Sequence, residues 1–172
     1  TVIEGADAEV VLMWASVAAA SIVPKNMQQL NLDMPLVCSH GVAKQEFIDG
    51  AGDAGEGVIA FAGKVLAPET YGEGSEAYDV ATGFVERYTA EYGVAPDHFA
   101  GHAYDGLYIV VEAMKRLEEG FTPTDLRDEI ERTSGLPGIG GTFTFSATDH
   151  NGMTANDIVM YRIENGEWVL AE

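Results

Sequence analysis

Residues 34–43 read Met34-Pro35-Leu36-Val37-Cys38-Ser39-His40-Gly41-Val42-Ala43. A short apolar run stops abruptly at a polar cluster with a glycine, and a helical pattern then continues to about Ala51. Such a run, bounded by turn residues, suits a strand buried on both faces. The same pattern recurs on either side of it. Upstream, Ala8 to Trp14 (AEVVLMW) is a second apolar run, and Ser16 follows as a candidate cap for an Ala-rich helix to about Gln29. Pro24 interrupts that helix, because proline lacks an N–H and clashes with the preceding turn; a kink or a late start is expected. Downstream, Val58 to Ala62 makes a third strand. This β-α-β-α-β rhythm predicts an α/β fold, a parallel sheet flanked by helices.

The remainder of the chain changes character. Residues 67–75 (APETYGEGS) have no periodicity and read as a linker or crossover. Ala81, Phe84, Val85, Tyr88 and Tyr92 recur at helical spacing up to Gly93, a C-terminal stop. Asp97 caps the next helix, whose buried side is predicted to carry Leu107, Val110, Val111, Met114 and Leu117, with an end at Gly120. Thr122-Pro123-Thr124 opens a short helix through Arg132. Gly135 to Gly141 is a flexible connection, residues 142–146 alternate like a half-exposed strand, and Asp149 to Gly152 form a turn. Ile158 to Ile163 and Trp168 to Leu170, joined across Asn165-Gly166, predict an antiparallel hairpin.

Composition narrows the function. The chain has 172 residues, a formal net charge of −19 and a single cysteine. The charge opposes nucleic acid and anionic membrane surfaces, where Lys and Arg must neutralise phosphates. One cysteine excludes an internal disulfide framework and a multi-thiolate metal site. No apolar run is long enough to span a bilayer, and the Thr1-Val2-Ile3-Glu4 start is not a signal sequence.

The candidate contacts cluster after strands. His40 sits between Ser39 and Gly41 at the expected carboxyl edge of the sheet. Gly41 would let backbone approach a ligand, and a following helix N-terminus would favour an anion. Trp14, Ala15 and Ser16 would line the same edge. His98 and His102 share a helix face with Asp105, but no Glu follows His98 and no third strong ligand is implied, so no metal is expected. Asp149 to Gly152 lacks the ligand set of a calcium loop. Cys38 and His40 lie on alternate residues, Ser39 lacks the glycines of a nucleophile elbow, and Gly138 to Gly141 (GIGG) precedes a strand rather than a helix. No cofactor motif is present, and the chain is expected not to be an enzyme.

Three stretches in order, Cys38 to Ala43, Phe99 to Asp105 (FAGHAYD) and Phe143 to Gly152 (FTFSATDHNG), resemble the extracytoplasmic solute-binding proteins of branched-chain amino acid ABC transporters, the Leu/Ile/Val-binding family. The resemblance covers nearly the whole chain and corresponds to the C-terminal half of that family. It implies a portion of a bilobed periplasmic-binding-protein type I fold, with residues 1–63 and 157–172 in the second lobe and 64–156 in the first, joined by crossover segments. It implies capture of an amino acid or related carboxylate by hinge closure and delivery to a membrane permease; a ligand-sensing domain of a signalling protein is the alternative. By the same comparison Ser16 falls where the amino acid binders place a tyrosine on the ligand. His40 falls where they place a glutamate that holds the α-ammonium. Phe99 matches an aromatic that packs on the ligand side chain, and His102 lies in the same motif. An imidazole does not hold an ammonium as a carboxylate does, so an aromatic or aliphatic carboxylate is expected as a competitor ligand. The resemblance further implies an extracytoplasmic location, in the periplasm or as a cell-surface lipoprotein. Since half of the family's length would be lacking, self-association or binding of a complementary N-terminal fragment is expected.

Overall fold

The computed structural model describes residues 2–16 and 18–171. The predicted passage from Ser16 into its helix runs through Val17, and the predicted segment ends include Thr1 and Glu172; these three lie outside the described residues. Two compact units divide the chain: residues 1–62 with 159–172, and residues 63–158.

The first unit is built on three short parallel strands, β1 (Val11–Met13), β2 (Leu36–Cys38) and β3 (Ile59–Gly63), and on the hairpin β6 (Ile158–Glu164) with β7 (Glu167–Leu170). The sheet order is β1-β2-β3-β6-β7. The register sets Met13 beside Cys38, and Cys38 beside Ala60. Asn165 and Gly166, both at positive φ, close the antiparallel hairpin as its two-residue turn requires. The predicted strands and hairpin of this unit are therefore all present: β1 and β2 are shorter than their apolar runs, β3 is shifted by one residue, and each hairpin strand is one residue longer than predicted.

Helix α1 (Ile22–Gln29) starts late, after a 3-10 turn at Ala18–Ser21, and Pro24 sits in its first turn where no N–H is required. Helix α2 (Gln45–Ala51) begins well after His40, which lies instead in a three-residue 3-10 turn, His40–Val42. The expected helix N-terminus beside His40 is thus absent, and with it the reason to expect an anion there. Alternation sends Leu36, Cys38, Val58, Ala60 and Ile163 into one core with Met27 of α1 and Phe47 and Ile48 of α2. Phe47, fully buried, alone contributes about 1.5–3 kcal/mol relative to exposure.

The other face of this sheet is apolar too, and it is open. Val10, Leu12 and Met160 are exposed, with Leu12 at 63%, and Val37, Ile59 and Phe61 are half-buried. The apolar run Ala8 to Trp14 predicts burial on both sides; β1 is instead an edge strand with one face bare, because no helix among the described residues covers it.

The second unit is helical. It comprises α3 (Glu76–Tyr92), α4 (His98–Met114) and α5 (Pro123–Glu131), with the two-residue strands β4 (Leu136–Pro137) and β5 (Thr142–Phe143). The caps follow the sequence. Ser75 accepts from the Tyr78 N–H, and Asp97 accepts from the Ala100 N–H. Thr122 and Asp125 form a reciprocal capping box, and Gly93 ends α3 in the left-handed conformation. Val65, Phe84 and Ile139 form a small core.

The buried side of α4 is not the predicted one. His98, Gly101, Asp105 and Ala113 face inward, while Leu107 (66% exposed), Val111 and Met114 are exposed together with Tyr104. Residues 104, 107, 111 and 114 share one stripe at three- and four-residue spacing. The helix also ends at Met114, short of Gly120. What draws the polar side inward is Asp105, whose carboxylate accepts from the Ile139 N–H at 2.6 Å and the Gly140 N–H at 2.8 Å. Burial pushes the Asp105 pKa up, and those two bonds and the nearby His102 oppose the rise. No helix among the described residues is long and apolar enough to cross a membrane.

Asp157 fastens the end of this unit. It accepts from the Thr142 N–H at 2.9 Å and from the Thr154 N–H and hydroxyl at 2.8 and 2.9 Å. Burial alone would raise its pKa, but these bonds outweigh it and hold the carboxyl below its ordinary value. A carboxyl depressed in the folded state stabilises fully above its unfolded value, about 3.9, and the contribution is lost as pH falls through the folded value. Asp157→Ala should therefore lower Tm most at neutral pH, with the deficit shrinking below about pH 4. Thermal unfolding by circular dichroism across pH checks this; a deficit independent of pH is the contrary result.

Candidate functional site

The carboxyl ends of β1, β2 and β3 meet at one edge of the first unit, and side chains from all three strands cluster there. Trp14 follows the last residue of β1, Ser39 and His40 follow β2, and Phe61 lies in β3 one residue past Ala60, the partner of Cys38. The Trp14 and Phe61 rings lie 5.6 Å apart between centroids, Trp14 and His40 6.3 Å, and His40 and Phe61 6.5 Å.

Backbone chemistry holds this cluster together. The Ser39 hydroxyl donates to the Ala15 carbonyl at 2.8 Å and accepts from the Ala15 N–H at 3.2 Å. The Ser39 N–H donates to the Met13 carbonyl at 3.0 Å, which extends the β1–β2 ladder by one step. Ser39 is 1% exposed. The two loops then touch at Gly41, where an added Cβ would lie 2.5 Å from the Ala15 oxygen and 2.9 Å from the Ser16 Cα. Glycine is required here for that close approach rather than for a special φ. The loop 14–16 is thereby held against the loop 39–41.

Five of the predicted site residues, Trp14, Ala15, Ser16, His40 and Gly41, thus share this edge. Ser16, Trp14 and His40 are exposed on it. Two residues that matter here lie outside the predicted contact set. Phe61 completes the aromatic cluster, and its signal in the sequence is an aromatic two positions before the glycine that ends the third strand. Ser39 acts by positioning Ala15, and no sequence pattern announces a hydroxyl that bridges both groups of a distant peptide.

The two side chains here that could serve as nucleophiles are both held back. The Ser39 hydroxyl is committed to Ala15, so it is not a nucleophile awaiting a base. The Cys38 thiol is fully buried and its pKa is pushed up to about 12 by that burial, which leaves no thiolate at neutral pH.

The other two predicted residues belong to the second unit, near the N-terminus of α4. Phe99 is exposed and its ring packs 4.3 Å from that of His98. His102 is half-buried, edge-on to His98 at 5.0 Å, and close to Gly140, where an added Cβ would lie 2.9 Å from its Cε1. Among the described residues no group of three or more His, Cys, Asp or Glu side chains is placed to hold a metal ion.

Fold and edge together define a class: α/β ligand-binding proteins that present loop tips at the carboxyl ends of parallel strands. The family model for periplasmic binding proteins matches residues 2–167, and the chain belongs to that family. The family is one of binding proteins, and the fold is that of periplasmic binding proteins of type I. An extracellular ligand-binding receptor from Rhodopseudomonas palustris HaA2 is similar at 26% identity and a TM-score of 0.85, over 98% of this chain and 49% of its own. The leucine-binding protein LivK from Thermotoga maritima MSB8 is similar at 20% identity and a TM-score of 0.83, over 99% and 46%. LivJ from Streptococcus pneumoniae, solved with isoleucine, matches at 23% identity and a TM-score of 0.77, over 96% and 44%. The chain spans about half the length of these solved relatives. A search of curated protein sequences gave no match.

Ser39→Ala should leave the Ala15 N–H and carbonyl short of a partner in a partly buried place, at a cost of about 1 kcal/mol. Urea denaturation should report that loss together with changed Trp14 fluorescence. Unchanged stability and emission would remove Ser39 from its positioning role.

Proposed function

We propose that this chain is the C-terminal portion of the substrate-binding component of an ABC importer. It works outside the cytoplasm and captures a small amino acid or related carboxylate between two lobes by hinge closure. The observation that carries this reading is the cluster of Trp14, His40 and Phe61 at the carboxyl ends of three parallel strands in a periplasmic binding protein fold. In this reading residues 1–63 and 157–172 contribute to the second lobe and residues 64–156 to the first. Ser16, His40 and Gly41 contact the ligand from the second lobe, and Phe99 and His102 contact it from the first. Closure would exclude water and strengthen each polar contact. A membrane permease is the partner that receives the ligand, a reading supported by LivJ, whose name is that of a branched-chain amino acid transporter substrate binding protein.

The uncovered surfaces support the further point that a complementary polypeptide completes the fold. The first unit has a sheet with one bare apolar face; the second has helices with a bare apolar stripe and only two-residue strands among its described residues. Parallel sheets are stable when both faces are covered. A segment as long as the half of the relatives that the chain does not span could supply helices to the one and strands to the other.

His40→Ala should weaken binding of the best ligand at least tenfold, about 1.4 kcal/mol, by calorimetry against amino acids and small carboxylates in the completed protein. No change would remove His40 from the site. Light scattering should find the chain alone self-associated, or drawn into a one-to-one complex by its complementary half. A stable monomer indifferent to that half is the contrary result.

A further inference from the structure

The two tryptophans of the first unit are held in opposite ways. Trp168 is half-buried and stacks on Phe47 at 6.2 Å and 25°, and its Nε1–H donates to the Lys44 carbonyl at 3.4 Å. Its faces and its polar atom are used by the core. Trp14 is 72% exposed, beyond the last residue of β1. Its neighbours His40 and Phe61 meet it at 85° and 52°, and they meet each other at 53°. Inclined rings of this kind support one another edgewise and leave the broad face of the indole without a parallel stack.

This arrangement is costly unless something is laid on it. The Ser39 bridge and the Gly41 contact fix the loop backbone next to Trp14, so its exposed indole is presented from a rigid base. Apart from the His40 imidazole, the residues of this edge (Trp14, Ala15, Ser16, Ser39, Gly41 and Phe61) carry no charge, so what the edge chiefly offers is polarisable ring faces. Aromatic pairs in offset-stacked or edge-to-face geometry gain more than the area they bury. A saturated ring or an aliphatic chain of equal volume gains the area alone.

We infer that the ligand presents a planar aromatic ring, which lies on Trp14 with its edge toward Phe61 and His40. This rests on the proposed solute-binding function and selects among its ligands: aromatic carboxylates and aromatic amino acids over aliphatic ones. Trp14 is then the residue that sets specificity, and Phe61 the one that holds its tilt.

The test uses the whole 172-residue chain labelled with nitrogen-15, in which the Trp14 and Trp168 indole N–H signals are told apart with Trp168→Phe. The probes are benzoate against cyclohexanecarboxylate, and phenylalanine against leucine, with choline as a cation. Benzoate and phenylalanine should move the Trp14 signal with affinities at least about fivefold above their saturated counterparts. Trp14→Leu should abolish the preference while leaving the rest of the spectrum folded, and Phe61→Leu should reduce it. Equal binding of leucine or cyclohexanecarboxylate overturns the aromatic assignment and leaves the solute-binding reading standing. So does ligand binding that shifts other signals but not Trp14. Choline binding above benzoate overturns it in favour of a cationic ligand. No binding of any probe to the chain overturns the aromatic assignment, while the solute-binding reading is decided by calorimetry on the completed protein.

Discussion

A sheet of parallel strands has two apolar faces, and burying only one leaves the other in water. That constraint governs the first unit. Leu36, Cys38, Val58 and Ala60 pack under α1 and α2, while Leu12, Val37 and Ile59 project the other way, where no helix among the described residues lies over them. The second unit has the reverse deficiency. Its helix α4 buries a polar and small-residue side around Asp105 and displays Tyr104, Leu107, Val111 and Met114. Hydrophobic burial is the dominant favourable term in folding, so both bare surfaces lower the stability of the chain standing alone.

Within that frame the edge at the carboxyl ends of β1, β2 and β3 is well fixed. Its precision comes from a small number of polar contacts rather than from packing volume. One buried hydroxyl satisfies both hydrogen-bonding groups of Ala15, and one glycine removes the atom that would hold the loops apart. Backbone bonds of this kind fix the loops that carry the aromatic side chains, and under the proposed function that lowers the ordering cost of binding. The edge is chemically quiet by the same means: its serine is occupied and its cysteine is protonated and enclosed.

Much of this is legible in the residues. The strand-turn-helix rhythm through residue 62, the Asn165-Gly166 hairpin, the Asp97 cap and the late helix start at Pro24 all follow from local rules of backbone conformation. The edge formed by Trp14, Ala15, Ser16, His40 and Gly41 is legible too, since strand ends place it. The orientation of α4 is not. Its apolar positions 107, 110, 111, 114 and 117 look like a buried face, yet Asp105 turns the helix because two backbone N–H groups at Ile139 and Gly140 need its carboxylate. Periodicity reports which side is apolar, and not whether a partner for that side lies in the same chain. Phe61 escapes for a related reason, because its place beside Trp14 depends on register across three strands.

The enclosure of Cys38 carries one more consequence. The chain's single thiol ends β2, directly before the residue that ties the two loops. A reagent that modifies thiolates reaches it only when the strands separate, so the rate of its reaction counts openings of this region and little else. The molecule therefore contains its own clock for the rigidity of the edge, readable without adding a probe to any surface that a ligand or a neighbouring polypeptide would touch.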